Sequence, residues 1–279
     1  MISNAARTVG AIFASAKFWR GAFSIVLFIV LWEVGSRSEA WFGIAVPGVS
    51  RVPPPSAVAA TFSELVRDPN YWSSWYLSTQ RVFVGFIAAM LVGIPLGLAM
   101  AVSRIFYGIS FPVFEVLRPI PPLAWVPASI IFWPTQEMSI SFVTFLGAFF
   151  TIVINVLGGA QAIDARYYQA ALSMGSSRWD IFRRIILPGT LPSIVVGATL
   201  GIGLAWAVVV AAEMISGGGS AGSLGSKGGG LGFFIWNSYV GGSYTQIIAG
   251  MISIGIAGYV SSALLRQGGK MLTPWLHEE

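Results

Sequence analysis

Long uncharged stretches alternate with short charged ones along this chain, and their lengths predict its elements. Between Arg81 and Arg104 lie 22 uncharged residues, between Glu137 and Asp164 26, between Arg184 and Glu213 28, and between Lys227 and Arg266 38. A helix needs about 20 mostly apolar residues to cross the hydrocarbon core of a bilayer, so each gap holds one span. A fifth apolar run, Pro119 to Trp133, follows Glu115 and Arg118. It predicts a span that begins near Ile109 and is bent at Pro119, Pro121 and Pro122, since proline removes a helical hydrogen bond. Near the N-terminus only 12 residues, Gly21 to Trp32, separate Arg20 from Glu33, the length of a signal-peptide core. No small-x-small cleavage site follows at the right distance, and Arg20 and Glu33 can snorkel to the two interfaces beside Phe18, Trp19 and Trp32. This run is read as an uncleaved first helix. The pattern thus predicts an all-α integral membrane protein with six transmembrane helices.

The expected layout is a tail over 1–17, a first transmembrane helix over 18–36 and an external connection over 37–80. A core transmembrane domain over 81–268 and a second tail over 269–279 complete it. With the N-terminus inside, the internal segments hold Arg7, Lys17, Arg20, Arg104, Arg118, Arg166, Arg178, Arg183, Arg184, Arg266 and Lys270. The external ones hold Arg37, Arg51, Arg67, Arg81 and Lys227. Eleven basic residues against five predict that both termini are cytoplasmic.

Composition narrows the classes further. Of 279 residues, 55% are hydrophobic and 10% charged, with a mean hydropathy of +0.75. Soluble domains carry about 25% charged residues. Sixteen Lys and Arg against eleven Asp and Glu are too few for a phosphate-binding face, which argues against a nucleic-acid partner. Zero cysteines exclude disulfides and thiolate metal sites, and the single histidine, His277, leaves no metal cluster.

Three connections carry more than linkage. In the first, Pro53-Pro54-Pro55 enters a helix expected over Ala57 to Arg67 with Ser56 as its cap, and Tyr71, Trp72, Trp75 and Tyr76 follow as an interfacial belt or a solute-contacting cluster. The second, 217–232, is more than half glycine, a composition that cannot pack a core; it reads as a loose external loop or, with Phe233 and Trp236, a mobile gate. The third, Ala162 to Pro192, is the longest internal connection. There Asp164 caps a helix through Met174, Gly175 supplies a left-handed corner, and Ser177 with Asp180 forms a capping box for a second helix that Pro188 stops. Six of the 27 charged residues fall between Asp164 and Arg184.

At these residues the chain resembles the permease subunits of bacterial ABC importers. Their cytoplasmic signature runs Glu-Ala-Ala, three residues, Gly, nine residues, then Ile-x-Leu-Pro. Here Gln169-Ala170-Ala171, Gly175 and Ile185-Ile186-Leu187-Pro188 keep that spacing, with Gln169 in place of the glutamate. The nitrate, sulfonate, taurine and bicarbonate branch is resembled through Val52-Pro53-Pro54-Pro55, Gly93-Ile94-Pro95-Leu96-Gly97, Arg118-Pro119-Ile120-Pro121-Pro122, Ala211-Ala212-Glu213-Met214 and Gly232-Phe233-Phe234-Ile235-Trp236. Trp133-Pro134-Thr135 and the glycine-expanded loop depart from that branch, both on the external side.

The resemblance implies a type I ABC importer permease fold in the bacterial cytoplasmic (inner) membrane. It also implies a homodimer, or a pair with a close paralogue, above two ATP-binding subunits, and an external substrate-binding protein. Gln169, Ala170, Ala171, Gly175, Ile185, Leu187 and Pro188 would then dock the ATPase. The sequence holds no GxxxxGK[ST] phosphate loop, so this chain is expected to bind no cofactor and to be no enzyme; ATP and Mg belong to the partner.

Intramembrane charges and aromatics supply the pathway or gate candidates. Glu115 and Arg118, three apart, are expected to form an ion pair or a gate. Glu213 reads equally as a gate contact or an interfacial cap. Trp125, Trp206, Phe233 and Trp236 either line a path or pack. Gly93 with Gly97 and Gly197 with Gly201 have the spacing of close helix contacts. A secondary transporter or channel without an ATPase is the alternative; it would need ionisable residues for coupling and leaves the helix–glycine–helix connection unexplained.

Overall fold

The computed structural model describes residues 16–217 and 229–274. Arg7, Lys227, His277 and the middle of the glycine-rich segment lie outside them. Among the described residues the chain is helical, with no strand. In chain order the helices are α1 (Ala16–Ser36), α2 (Ser38–Phe42), α3 (Pro55–Leu65), α4 (Pro69–Val102) and α5 (Arg104–Leu117). Then come a short 3-10 helix (Pro122–Trp125), α6 (Val126–Phe132), α7 (Gln136–Gln161), α8 (Ala165–Ser173) and α9 (Arg178–Ile181). A π-turn (Phe182–Ile186) leads into α10 (Leu187–Gly217), and α11 (Gly230–Val240) and α12 (Tyr244–Leu272) complete the fold.

Among the described residues five helical stretches are long and apolar enough to cross a membrane: α1, α4, α7, α9 through α10, and α12. The stretch expected as the third span is broken instead. It starts at Arg104 rather than near Ile109, and α5 ends at Leu117 before the prolines. Fourteen residues rise only about 21 Å, short of the roughly 30 Å hydrocarbon core, so neither α5 nor α6 can span alone.

The core is a parallel pair, α4 and α7, with α10 antiparallel to both. Glycine sets the closeness of these contacts. A β-carbon at Gly85 would stand 2.7 Å from the Ser141 carbonyl oxygen, and one at Gly97 2.9 Å from Val156. On α10, Gly197 and Gly201 pack in the same way on Asn155 and Ile152. Both predicted small-residue pairs therefore meet α7, the most enclosed span. In an apolar solvent such approaches are driven by packing rather than by water exclusion. Helix α12 lies along α10, joined by the indole N–H of Trp206, which donates to Ser261 Oγ at 3.0 Å.

Several predicted boundaries move. Helix α4 begins at Pro69, capped by the Asp68 carboxylate, so Arg81 lies inside a helix and not in a connection. Ser56 does not cap α3; Pro54 holds that position, and the backbone N–H and hydroxyl of Ser56 donate to Glu33. Tyr71 departs from its aromatic neighbours: it is buried and bonded to Ser253 Oγ, while Trp72 and Tyr76 stay exposed. Nor does Pro188 stop the helix. The chain passes from α9 into α10 without a break, because Leu187 N–H reaches back five residues to the Phe182 carbonyl. That wide turn makes room for the ring of Pro188 and for its missing donor.

Candidate functional site

Two places in the fold gather the residues singled out by the sequence. The first is the α8–α9 corner. Asp164 caps α8 by accepting from Arg166 N–H at 2.9 Å, and the Arg166 side chain returns to the same carboxylate. These contacts, the guanidinium first, hold the Asp164 carboxyl below its ordinary range. At the other end Gly175 N–H donates to Leu172 and Ser176 N–H to Ala171, the paired bonds of a glycine-terminated helix. Gly175 has φ +80°, a conformation most side chains resist. Ser177 and Asp180 then close their reciprocal cap on α9.

This corner stands away from the bundle. Of α8 only Ala171 is buried; Gln169 and Ala170 are exposed, as are Tyr167, Leu172, Met174 and Trp179. Ile185, Leu187 and Pro188 are half-buried where the π-turn meets the bundle. Beside them a cleft of about 730 Å³ is lined by Gly159, Ile163, Asp164, Tyr167, Ile185 and Pro188. A β-carbon on Gly175 would meet nothing of this chain within 4 Å. Exposed apolar side chains thus gather around a capped corner, the kind of patch that marks interaction sites.

The second place is at the opposite end of the spans. Glu213, the last acid of α10, is fully buried. Its carboxylate accepts from Ser78 Oγ at 2.8 and 2.9 Å, Arg81 Nη1 at 2.8 Å and Gly232 N–H at 2.9 Å. The Ser78 hydroxyl oxygen in turn accepts from Leu231 N–H. Ser78 and Glu213 thus satisfy the first amides of α11, where a helix N-terminus is partly positive. Arg81 also donates to the Gly229 carbonyl and, through Nε and Nη2, to Glu137 at 2.7 and 2.5 Å. One arginine therefore ties α4, α7, α10 and the start of α11 together.

Glycine makes this fit. Gly230 has φ +81°, and a β-carbon there would stand 2.2 Å from the Glu213 carboxylate. One at Gly232 would meet the Val210 carbonyl oxygen at 2.3 Å. The end of the glycine-rich segment, residues 229–232, is consequently packed structure, not loose loop.

Other candidates fare differently. Glu115 and Arg118 do not pair: both are exposed, and Arg118 is the C-cap of α5, where the helix ends. Exposed pairs three apart gain little from a fixed geometry. Trp206 is packed and bonded within the core, and Trp236 is partly exposed beside Tyr239. Phe233 lies half-buried against Gly229, and Trp125 is half-buried with its indole nitrogen unpartnered. Glu213 alone among them enters a network.

Sequence reasoning missed Ser78, Arg81 and Glu137. For Ser78 and Arg81 the signal was the helical phase of Ser74, Ser78, Arg81, Gly85, Ala89, Gly93 and Gly97, a stripe of small residues and one arginine on the buried face of α4; Glu137, on the first turn of α7, had none.

Comparison with known proteins identifies the family. The family profile described as "Binding-protein-dependent transport system inner membrane component" matches residues 93–277. The nitrate import permease protein of Leptolyngbya laminosa is 37% identical over 211 residues, covering 72% of each chain. The taurine transport system permease protein of Escherichia coli is 31% identical over 265 residues, covering 92% of this chain and 93% of that one. Among solved structures, a chain of the methionine ABC transporter MetNI in an inward-facing conformation superposes with TM-score 0.55 at 22% identity. It covers 72% of this chain and 94% of that one, so the fold is shared. Bundle, corner and family match agree: this chain is a multi-pass membrane protein of the binding-protein-dependent transport family, an inner membrane component of the ABC importer type.

Proposed function

We propose that this chain forms the translocation pathway of an ATP-driven importer for a small anion of the nitrate, sulfonate, taurine or bicarbonate class. It works as a pair of identical or closely related copies, joined by two separate ATP-binding subunits and an external substrate-binding protein. The observation that carries the reading is the exposed α8–Gly175–α9 corner. Its two helix starts are capped, and Leu172, Met174 and Trp179 stay largely exposed there instead of being buried in the bundle. In this reading the corner and both termini face the cytoplasm, and the Glu213 network faces outside.

Mechanically, α8 seats in a groove of the ATPase. Closure of the ATPase pair on ATP and Mg draws the two seated corners together and shifts the spans between inward- and outward-open states. A ligand moves such an equilibrium only by binding one state better than the other. Nitrate and taurine permeases among the relatives support the solute class, and the lack of Lys or Arg in the middle of the spans fits it, because a deep positive well would trap an anion.

Gly175→Asp tests the docking. Aspartate tolerates positive φ better than most residues, and its β-carbon meets no neighbour here. The fold survives, while charge and bulk enter the docking surface. The expected result is membrane insertion at the normal level with loss of ATPase co-purification and of solute-stimulated ATP hydrolysis. Normal coupling in this variant defeats the proposal.

A further inference from the structure

The guanidinium of Arg81 has two hydrogen-bonding sides, and they are held very differently. Nη1 is turned inward, to Glu213 at 2.8 Å and the Gly229 carbonyl at 3.1 Å. The Nε–Nη2 edge is turned to Glu137, whose two oxygens lie in a fork at 2.7 and 2.5 Å. The Arg81 side chain is 3% exposed and that of Glu213 0%, whereas Glu137 is 56% exposed. Glu137 is thus the solvent-side cover of an otherwise buried cation. Its anchorage is local, on the first turn of α7. Glu213 by contrast is fixed by Ser78, Arg81 and Gly232 together.

A carboxylate forked on the Nε–Nη2 edge presents two coplanar oxygens to two parallel N–H groups. Nitrate, bicarbonate, a carboxylate or a sulfonate presents the same pair. Charge also balances: Arg81 with Glu213 is neutral, and Glu137 adds one negative charge. Exchanging the Glu137 carboxylate for a monovalent anion leaves the charge beside Arg81 unchanged.

The geometry points to the Nε–Nη2 edge of Arg81 as a binding site for a monovalent oxyanion, with the Glu137 carboxylate as an internal stand-in that the anion displaces. The stand-in solves a difficulty for a transport protein. Without Glu137 the Nε–Nη2 edge would leave buried donors unsatisfied and would hold an anion firmly, since an unpartnered buried donor is costly. With Glu137 returning to the same edge, the anion gains only the difference between two similar contacts. Binding is then weak and reversible, and no unpartnered donor is left behind. The inference deepens the anion-import reading above and rests on it for its purpose, although the site itself can be tested alone.

The test is reaction of the purified full-length chain in detergent with phenylglyoxal, an arginine-selective reagent, followed at the Arg81 peptide by mass spectrometry. In the wild type Arg81 reacts slowly, and in Glu137→Ala it reacts faster because its cover is gone. Nitrate or methanesulfonate then slows the variant's reaction by 1 + [anion]/Kd, about twofold when the anion concentration equals Kd. Chloride at the same concentration leaves the rate unchanged. Absence of protection by either oxyanion, equal protection by chloride, or an Arg81 still unreactive in Glu137→Ala overturns the proposal. Should Glu137→Ala fail to give monodisperse protein, Glu137→Gln, which keeps the shape and removes the charge, carries the same comparison. No ATPase takes part, so failure here with ATPase association intact removes the site and leaves the importer reading standing.

Discussion

Two glutamate–serine–arginine clusters occur in this fold, built from the same parts and set in different surroundings. At the end of α1, Glu33 accepts from Ser56 Oγ at 2.8 Å, Ser56 N–H at 3.0 Å and Arg37 Nε at 2.6 Å. At the end of α10, Glu213 accepts from Ser78 Oγ, Gly232 N–H and Arg81. In each a carboxylate closes the N-terminus of a helix distant in sequence, α3 in one case and α11 in the other. The Glu33 and Arg37 side chains are 23% and 41% exposed; those of Glu213 and Arg81 are 0% and 3%. Water can replace every bond of the first cluster. It can replace none of those at Glu213, so the same chemistry that dresses a periphery becomes, once enclosed, a condition of the fold.

The largest effect should come from Glu213→Ala. It strips Arg81 of its inner partner and leaves Gly232 N–H and the Ser78 hydroxyl without their acceptor. Removing one member of a buried pair costs about 3–5 kcal/mol. A thermal unfolding midpoint in detergent should fall well below wild type, and an unchanged midpoint would break the contrast between the clusters. Ser78→Ala comes next, losing the hydroxyl shared between the two Glu213 oxygens and the cap on Leu231 N–H. Leaving such buried groups unsatisfied costs about 1–3 kcal/mol, and amide exchange at the start of α11 should quicken before the rest of the bundle is affected. Glu33→Ala should be smallest, with an unfolding midpoint indistinguishable from wild type and added mobility confined to α1 and α3. A loss there as large as for Glu213→Ala would mean that burial does not separate the two.

Much of this architecture is readable from charge spacing, because a bilayer forbids frequent charges where a helix crosses. The α8–α9 corner was readable in detail for another reason: its caps are local, and Asp164, Gly175, Ser177 and Asp180 announce themselves within a few residues. The Glu213 network was not. Ser78 and Glu213 are 135 positions apart, and nothing local says that they meet. Arg81 misled most, since a charge at the edge of an apolar run reads as a boundary. Its true place, three turns inside a helix that begins at Pro69, needs Glu137 and Glu213 to balance it. The continuity through Pro188 was hidden as well, because a π-turn has no fixed sequence signature.

That continuity makes a lever. From Arg178 to Ser216 the helix runs unbroken for 39 residues, about 58 Å at 1.5 Å per residue. One end carries Trp179 and the capped corner; the other carries Glu213. In the proposed mechanism, a change of tilt imposed at the corner and carried through the continuous backbone reaches the far end amplified by length, and the π-turn beside Pro188 and Pro192 is where bending would absorb it. About 5° of tilt displaces one tip relative to the other by about 5 Å, more than the length of any hydrogen bond that Glu213 makes. In the proposed importer, this one continuous helix is the link between the corner that would meet the ATPase and the cluster at the opposite end of the spans.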